Sequence, residues 1–277
     1  MGEVDPAFFQ APEHRPSLQN IEAQGIPLID LSIPSSPDAS LEDLVKKIGD
    51  ACRDWGFFKA YKNVRDWKEV FDFAVQNPTI VPASYEPDDK EVTEWYNQWP
   101  EYPPELRPTT FIRLNHYPPC PVPDLALGVG RHKDAVALTI LAQDDVGGLE
   151  VKSKSDGEWT WVTPTPNSYI INVGDIIQVW SNDAYESVEH RVKVNPEKER
   201  FSVPYFLNPA HYTWVKPLEE IANEQNPAKY RPYNLGKFFV TRKRSNFKKL
   251  DVENIQISHL RVSDLSDKFE GALSINP

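Results

Sequence analysis

The sequence predicts a mainly β protein with flanking helices, in which the β core is a sandwich, a jelly roll or a barrel. Between Phe111 and Leu207, short runs rich in β-branched and aromatic residues alternate with turn signals such as Gly147-Gly148. Closely spaced strands of this kind are typical of two-layered or closed antiparallel architectures. The chain also contains 26 prolines against 12 glycines among its 277 residues. Because proline favours strand edges, turns and extended connectors, this excess argues against an all-helical fold.

The N-terminal region carries one predicted helix. Residues 1–25 are polar with scattered prolines and are predicted to form an arm, and Ile26–Leu31 has the features of a short strand. Ser40 then precedes Asp43 by three residues in a capping-box pattern, so a helix is predicted from there to Gly56. Its apolar residues recur at helical spacing, at Leu41, Leu44, Val45, Ile48, Cys52 and Trp55.

Weaker signals separate this helix from the β core. Residues Asn63–Ala74 are mixed, and Pro78–Pro108 is rich in prolines and acids, which is typical of extended surface chain. The β-prone runs that follow are Phe111–Tyr117, Ala135–Gln143, Leu149–Val151, Trp159–Val162, Tyr169–Asn172, Ile176–Trp180, Val188–Val194 and Phe201–Leu207. Helical patterns return in Leu218–Asn223 and Leu235–Arg244. We therefore divide the chain into an N-terminal region of residues 1–107, a β core of 108–215 and a C-terminal helical extension of 216–277.

Composition excludes several classes of protein. Hydrophobic residues make up 40% and charged residues 26% of the chain, so it is neither disordered nor a coiled coil. Lys and Arg number 30 against 41 Asp and Glu, and the net charge of −11 predicts no nucleic-acid partner. The one basic run, Arg242–Arg244 with Lys248 and Lys249, is interpreted as a solvated helix face.

The compartment follows from other features of the sequence. Cys52 and Cys120 are too few for a disulfide framework, and no apolar run approaches the 18 residues that a membrane span needs. The N-terminus has no apolar run of the kind that signal peptides carry. We therefore expect a cytoplasmic protein with no membrane association.

The first candidate for chemistry is the tripeptide His132-Lys133-Asp134. Residues i and i+2 of an extended strand point to the same side, so this imidazole and this carboxylate can converge on one point. His190 lies in a later β run. Two imidazoles and one carboxylate form the facial triad of non-haem Fe(II) oxygenases, which leaves positions open for a co-substrate and O₂. The same residues also suit a zinc hydrolase, or a surface histidine beside a surface aspartate.

A second candidate site lies on neighbouring predicted strands. Arg200 and Ser202 share a strand face, and a guanidinium beside a hydroxyl suits a carboxylate ligand. An ion pair of Arg200 with Glu197 or Glu199 is the alternative. Candidates on the same two strand faces are Arg113, Asn115, Tyr117 and Phe206, of which Arg113 and Phe206 are candidate substrate contacts.

The motifs together resemble the plant soluble 2-oxoglutarate- and Fe(II)-dependent dioxygenases, the group of flavonol synthase, anthocyanidin synthase and gibberellin oxidases. The resemblance rests on Ile26–Ser32, Asp54–Phe58, Asn115–Pro121, His132-x-Asp134, Gly148-Leu149, Asn172–Asp175, Gln178–Asn182, Ser187–Arg191 and Glu199–Ser202. Metal, co-substrate and framework positions thus occur in the order and spacing of the family.

The resemblance implies a double-stranded β-helix, which is a distorted jelly roll. It implies that His132, Asp134 and His190 are Fe(II) ligands. It implies that Arg200 and Ser202 bind the side chain of 2-oxoglutarate. It also implies that Tyr117 assists this binding, that Asn115 lies nearby and that the protein is a monomer. The implied activity is hydroxylation, desaturation or demethylation of a small, largely apolar plant metabolite, with O₂ and 2-oxoglutarate converted to succinate and CO₂ and with ascorbate as reductant.

The sequence departs from this family in two places. A strand, an Asn-His-Gly turn and helices normally follow the Gly56–Phe58 position, and two long helices normally precede the Phe111 position. Each gap removes about several tens of residues, and their loss is expected to expose apolar sheet surface. A splice form, a sequence that omits segments and a naturally shortened protein are all open explanations. The gaps also motivate a second functional hypothesis, a weak or inactive form that acts as a binding or regulatory module.

Overall fold

A computed structural model describes residues 4–17, 21, 27, 29, 41–55, 68–73, 79–82, 92–95, 111–209, 211–247 and 255–262. Thirteen strands are present in these ranges: β1 (Glu69–Phe73), β2 (Thr79–Pro82), β3 (Val92–Trp95), β4 (Phe111–Tyr117), β5 (Leu127–His132), β6 (Leu138–Gln143), β7 (Leu149–Lys152), β8 (Trp159–Trp161), β9 (Ile170–Val173), β10 (His190–Lys193), β11 (Arg200–Leu207), β12 (Trp214–Val215) and β13 (Tyr233–Asn234). The helices are α1 (Leu41–Trp55), α2 (Asp175–Trp180) and α3 (Leu235–Phe247), with 3-10 turns at Pro6–Phe8, Pro12–His14 and Ile257–Leu260.

Two antiparallel sheets form the core. The larger has the strand order β1-β4-β11-β6-β9 and the smaller the order β5-β10-β7-β8. One cavity is lined by side chains of both sheets, so the sheets face each other across it. The apolar layer between them consists of Tyr117, Leu149, Val151, Val162 and Val192, with Val129, Leu141 and Ile170 packed against it. This arrangement confirms the prediction of a mainly β jelly-roll core.

A second apolar cluster joins the C-terminal region to the core. Leu235 and Phe238 of α3 and Ile176 and Val179 of α2 are all buried in it. Helix α2 begins directly after Gly174, where an added Cβ would lie 2.0 Å from the carbonyl oxygen of Val136. Only glycine therefore allows α2 to approach the 134–136 loop, and this approach brings the C-terminal region close to the chain segment that follows β5.

The helix predictions are confirmed in two of three cases. Helix α1 begins at Leu41, one residue after the predicted cap Ser40, and α3 covers the predicted Leu235–Arg244. The prediction for Leu218–Asn223 is wrong, because this segment forms turns.

One predicted strand is wrong, and the sequence analysis did not predict strands β1, β2, β3, β5, β12 and β13. Ile176–Trp180, predicted as a strand, is helix α2, because a short apolar run has no period that separates a strand from a buried helix. Strand β5, Leu127–His132, was missed, because Gly128 and Gly130 weaken the strand signal. Gly128 is required there, since an added Cβ would lie 2.7 Å from the ring of Tyr117.

The described part of the N-terminal arm packs against the core. Phe8 packs on the cluster of Cys120, Ala126 and Val194, and the amide of Gln10 donates to the carbonyl of Leu125 at 2.7 Å. The predicted strand Ile26–Leu31 lies outside the described residues, apart from Pro27 and Ile29. No helix in the described ranges is long and apolar enough to cross a membrane.

Apolar side chains are exposed on the outer face of the larger sheet. Leu114, Phe201 and Val203 are each more than a third exposed, as are Val45 and Ile48 of α1. Leu114 and Phe201 belong to strands whose opposite face lines the cavity. The sequence analysis expected exposed apolar sheet surface as a consequence of the two gaps, and this causal link stays a prediction.

Candidate active site

Three side chains with metal-binding atoms converge at one end of the cavity. His132 ends β5 and lies directly opposite His190, the first residue of the neighbouring strand β10. Asp134 Oδ1 lies 3.5 Å from Nε2 of His132 and 3.7 Å from Nε2 of His190. One possible ligand atom from each of the three residues lies within 4.8 Å of the other two. Among the described residues this is the only such group of three or more histidine, cysteine and acidic side chains.

Backbone carbonyls orient both imidazole rings. Nδ1 of His132 donates to the carbonyl of Gly130 at 2.8 Å, and Nδ1 of His190 donates to that of Val188 at 3.4 Å. A proton on Nδ1 leaves Nε2 unprotonated, which is the form that binds a metal. Both Nε2 atoms face Asp134, so the donor set fits a divalent transition metal with open positions.

The second carboxylate oxygen of Asp134 is held by two neighbours from the larger sheet. Oδ2 accepts hydrogen bonds from Thr139 Oγ1 at 2.6 Å and from Asn172 Nδ2 at 2.9 Å. Thr139 and Asn172 are cross-strand partners on β6 and β9. The carboxylate is therefore fixed in an orientation that presents Oδ1 to the histidines.

The electrostatics of the group keep Asp134 ionised and His190 neutral. Burial alone raises the pKa of the Asp134 carboxyl, but His190, His132 and the Thr139 hydroxyl outweigh it, so the pKa is well below its usual range. Burial, aided by the nearby His132, lowers the pKa of His190 to about 4. Near neutral pH the group thus offers a carboxylate and a neutral imidazole, as metal coordination requires.

A buried guanidinium lies in the same cavity. Arg200 opens β11, is 2% exposed and stacks over the Tyr117 ring, with Cζ 4.9 Å from the ring centroid. Nη2 donates to Gln143 Oε1 at 2.9 Å, whereas Nε and Nη1 are buried and have no acceptor within the described part of the chain. Since a buried donor without a partner is costly, this guanidinium indicates a missing anionic ligand.

Cross-strand pairing surrounds the guanidinium with the other predicted residues. Arg200 lies opposite Tyr117, and Ser202 lies opposite Asn115. Asn115 Nδ2 donates to Ser202 Oγ at 3.2 Å. The alternative of an ion pair of Arg200 with Glu197 or Glu199 is wrong for the described residues, because the buried guanidinium makes no such contact and Glu199 lies 3.1 Å from His116 Nε2.

Further side chains line the same cavity. Both predicted substrate residues line it, and the Arg113 guanidinium lies 5.6 Å from the centroid of the Phe206 ring. Lys68, which the sequence did not single out, also lines it. Most of the remaining lining is aliphatic: Val129, Leu141, Leu149, Ile170, Val192 and Pro204.

Comparison with known proteins decides between the alternatives left open by the residues. Residues 108–209 match the model of the 2OG-Fe(II) oxygenase superfamily. The chain is 32% identical, over 90% of its own length and 87% of the relative, to the bi-functional coumaroyl CoA and feruloyl CoA ortho-hydroxylase Diox1 of Ruta graveolens. The chain belongs to the 2OG-Fe(II) oxygenase superfamily. It is a 2-oxoglutarate-dependent dioxygenase, so neither a zinc hydrolase nor an inactive binding module is favoured.

Solved structures of this oxygenase family agree with the fold. The crystal structure of JOX2 in complex with 2OG, Fe, and JA superimposes with a TM-score of 0.65 at 26% identity, over 87% of this chain and 89% of that chain. The core of the oxygenase is therefore a double-stranded β-helix, as the resemblance implied. A shorter similarity is stronger in sequence: Feruloyl CoA ortho-hydroxylase 1 of Arabidopsis thaliana is 51% identical over 117 residues, 42% of this chain and 32% of that protein.

The lengths of the alignments bear on the two gaps. The match to Diox1 extends over 328 positions, more than the 277 residues of the oxygenase described here. The relative therefore carries residues that have no counterpart in this chain, in agreement with the segments expected to be missing.

Sequence reasoning missed the residues that support the site. Thr139, Asn172 and Gln143 contact Asp134 or Arg200 directly, yet Thr139 and Gln143 were not singled out, and Asn172 was noted only as part of a family motif without this role. Thr139 and Asn172 stand in ordinary β-prone runs, and only the sheet register brings them to Asp134. Gln143 ends β6, opposite Ser202, and the same dependence on register hides its contact with Arg200.

Proposed function

We propose that the chain is an Fe(II)- and 2-oxoglutarate-dependent oxygenase of a small organic metabolite, with His132, Asp134 and His190 as the iron ligands. One observation supports this most strongly: the three donor atoms share a cavity with a buried guanidinium that has two unpaired N–H donors. A metal site alone would fit a hydrolase, and a guanidinium alone would fit an anion-binding protein. The pair suits a keto-acid that binds a metal at one end and carries a carboxylate at the other.

Arg200 is proposed to bind the distal carboxylate of 2-oxoglutarate. Its free Nε and Nη1 lie in the cavity wall. Further polar atoms come from its cross-strand partner Tyr117, from Ser202 on the same strand and from Asn115 opposite Ser202. Charge-assisted hydrogen bonds from a guanidinium are about twice as strong as neutral ones. Gln143 and the Tyr117 ring fix the guanidinium before the ligand arrives, which limits the ordering cost of binding.

The protein residues orient and protect the reactants. Bound Fe(II) would supply the one-electron and O₂ chemistry by which 2-oxoglutarate, O₂ and a substrate C–H bond become succinate, CO₂ and a C–OH group. Thr139 and Asn172 hold the Asp134 carboxylate, and the aliphatic lining excludes water from the reacting groups. Because no described side chain that lines the cavity other than Asp134 is acidic, an anionic co-substrate meets little repulsion.

The proposed substrate is largely apolar and carries an anionic group. Aliphatic residues and Phe206 offer apolar contact, while Arg113 and Lys68 bring positive charge to the same cavity. The relatives fit this description: one is named for coumaroyl CoA and feruloyl CoA, and JOX2 was crystallised with JA. Hydroxylation of an aromatic acyl thioester is the first reaction to test, because the feruloyl CoA relative is 51% identical over the matched segment.

The test is an assay of succinate formation with Fe(II), O₂ and 2-oxoglutarate across coumaroyl CoA, feruloyl CoA and jasmonate. We expect succinate with Fe(II) and none with Zn(II), and a stimulation by one of these substrates that Arg113→Ala weakens through KM. Folded protein that forms no succinate under any of these conditions would contradict the proposal. Ascorbate as reductant, a monomeric state, a cytoplasmic location and the absence of a nucleic-acid partner remain predictions.

A further inference from the structure

Helix α3 reaches the segment between the proposed iron ligands through one side chain. Arg242 Nη2 donates to the backbone carbonyl of Lys133 at 3.0 Å, and Arg242 Nη1 lies 3.0 Å from Asp175 Oδ2. Lys133 stands between His132 and Asp134 in the sequence. Arg242 was expected to lie on a solvated helix face, but its side chain is only 12% exposed, so that interpretation is wrong.

Asp175 connects the same side chain to the other proposed ligand. Its backbone N–H donates to the carbonyl of Asp134 at 2.8 Å, and its carboxylate is fully buried against Arg242. Hydrogen bonds thus link Asp134 to Asp175, Asp175 to Arg242, and Arg242 to Lys133. Lys133 is joined to Asp134 by the peptide bond between them. These groups form a closed ring of hydrogen bonds around the backbone that carries Asp134.

The ring is held by more than one contact. The backbone N–H of Gly174 donates to the carbonyl of Ala137, and that of Ile176 donates to the carbonyl of Val136. The start of α2 is therefore hydrogen-bonded to the segment that follows Asp134. Lys133 Nζ, also buried, lies 4.0 Å from Asp175 Oδ1 and donates to Gln178 at 2.9 Å. Arg242 alone among these charged side chains comes from outside the β core and α2.

We propose that Arg242 is a positioning residue for the metal site: it fixes the Lys133–Asp134 backbone so that Asp134 Oδ1 stays within reach of both histidines. This inference rests on the proposed iron ligands. Arg242 does not line the cavity in the described part of the chain, so it acts on the reaction only through the ligand loop. The C-terminal region thereby contributes to iron affinity although it supplies no proposed ligand.

The experiment is an anaerobic titration of metal-free protein with Fe(II), read by tryptophan fluorescence and by the visible band after addition of 2-oxoglutarate. Residues that orient metal ligands typically change metal affinity about 10- to 100-fold, so we expect Arg242→Ala to raise the Kd for Fe(II) about 10-fold or more. Arg242→Lys should lose less iron affinity than Arg242→Ala, because an ammonium keeps the positive charge. It should still lose some, because an ammonium does not reproduce the planar guanidinium that contacts two acceptors. The Kd for 2-oxoglutarate at saturating iron should change little.

Arg231→Ala is the matched control. Arg231 also donates to a backbone carbonyl of the C-terminal region, that of His259 at 3.2 Å, but it is exposed and does not contact the ligand loop. We expect Arg231→Ala to bind iron as the parent does. The Asp175→Asn and Arg242→Ala changes combined should cost no more affinity than the worse of the two alone, because both break the same link.

An unchanged Kd for Fe(II) in folded Arg242→Ala would overturn the inference. If Arg242→Ala does not fold, Arg242→Lys and Asp175→Asn decide, and parental iron affinity in both would likewise overturn it. A lowered melting temperature with unchanged iron affinity would show a purely structural role. If the parent chain itself binds no iron, the proposed set of iron ligands is wrong. That outcome is distinct from iron binding that Arg242→Ala leaves unchanged, which would overturn only the role of Arg242.

Discussion

Thr139 donates a 2.6 Å hydrogen bond to Oδ2 of Asp134, while Oδ1 of the same carboxylate lies 3.5 Å from His132 and 3.7 Å from His190. One oxygen is thus held by the larger sheet and the other is presented to the histidines. The consequence is that a residue with no metal-binding atom of its own sets the orientation of a proposed ligand.

Replacement of Thr139 by valine keeps the shape of the side chain and removes this bond. We expect Thr139→Val to weaken Fe(II) binding about 10-fold, since Asn172 still donates to the same oxygen. Anaerobic Fe(II) titration measures the effect. Thr160→Val is the control, because the Thr160 hydroxyl donates to the carbonyl of Val151, away from the site. Equal iron affinities in the two variants would refute the role assigned to Thr139.

Substitution of Arg200 is expected to affect 2-oxoglutarate and spare iron. Arg200→Met removes two buried donors directed at the proposed carboxylate, and hydrogen bonds to charged groups contribute about 1.5–3 kcal/mol each. The Kd for 2-oxoglutarate should therefore rise about 100-fold or more, with Fe(II) affinity within about threefold of the parent. Calorimetric titration of each ligand separates the two. Loss of iron binding with retained 2-oxoglutarate binding would reverse the assignment.

Part of the proposed site could be predicted from local spacing. His132 and Asp134 stand two residues apart, and Arg200 and Ser202 share the period of a strand. All four line the cavity, but the spacing left a zinc site and surface ion pairs open, and the role of iron ligand came from the resemblance to the dioxygenases. The supporting residues were not predictable in this way, because Thr139 reaches Asp134 only through the pairing of distant strands. The role of Arg242 depends on the docking of α3, which no local pattern specifies.

The errors in secondary structure have similar causes. Helix α2 lies in an apolar run too short to show a period. Gly174 before it and Asp175 at its first position are equally typical of a turn between strands. Strand β5 contains two glycines, which local propensity penalises, although the Tyr117 ring leaves no room for a side chain at Gly128. In both segments, tertiary packing and not local propensity determines the secondary structure.

The pH dependence of His116 offers a test of the outer sheet face. The hydrogen bond from Nδ1 to Glu69, reinforced by Glu199, raises the pKa of His116 above its usual 6.5. A raised pKa means that this contribution to stability is complete below about pH 6.5 and is lost as pH rises through the folded-state pKa. NMR titration of the ring should show the raised value, and Glu69→Gln should lower it. Glu219→Gln, at an exposed distant site, should leave it unchanged.

Gly174→Ala tests the approach of α2 to the ligand loop. The added methyl would lie 2.0 Å from the Val136 carbonyl oxygen, so we expect a loss of at least about 3 kcal/mol in the free energy of unfolding. Gly157→Ala is the comparison, since its Cβ would meet no atom within 4 Å and only the positive φ of 76° opposes it. That variant should lose about 1–2 kcal/mol. Urea denaturation of both variants measures the difference, and a loss in Gly174→Ala no larger than that in Gly157→Ala would show that the structure relieves the close approach at little cost.

The central claim is that His132, Asp134, His190 and Arg200 together hold Fe(II) and 2-oxoglutarate. The most direct measurement is an anaerobic titration of the purified chain with Fe(II) and 2-oxoglutarate, followed by the weak visible charge-transfer band of a keto-acid chelated to iron. The band should appear and saturate in the parent chain, disappear in His190→Ala and persist in His116→Ala, where the lost histidine lies on the outer sheet face. Folded parent protein without the band, or a band that survives His190→Ala, would contradict the claim.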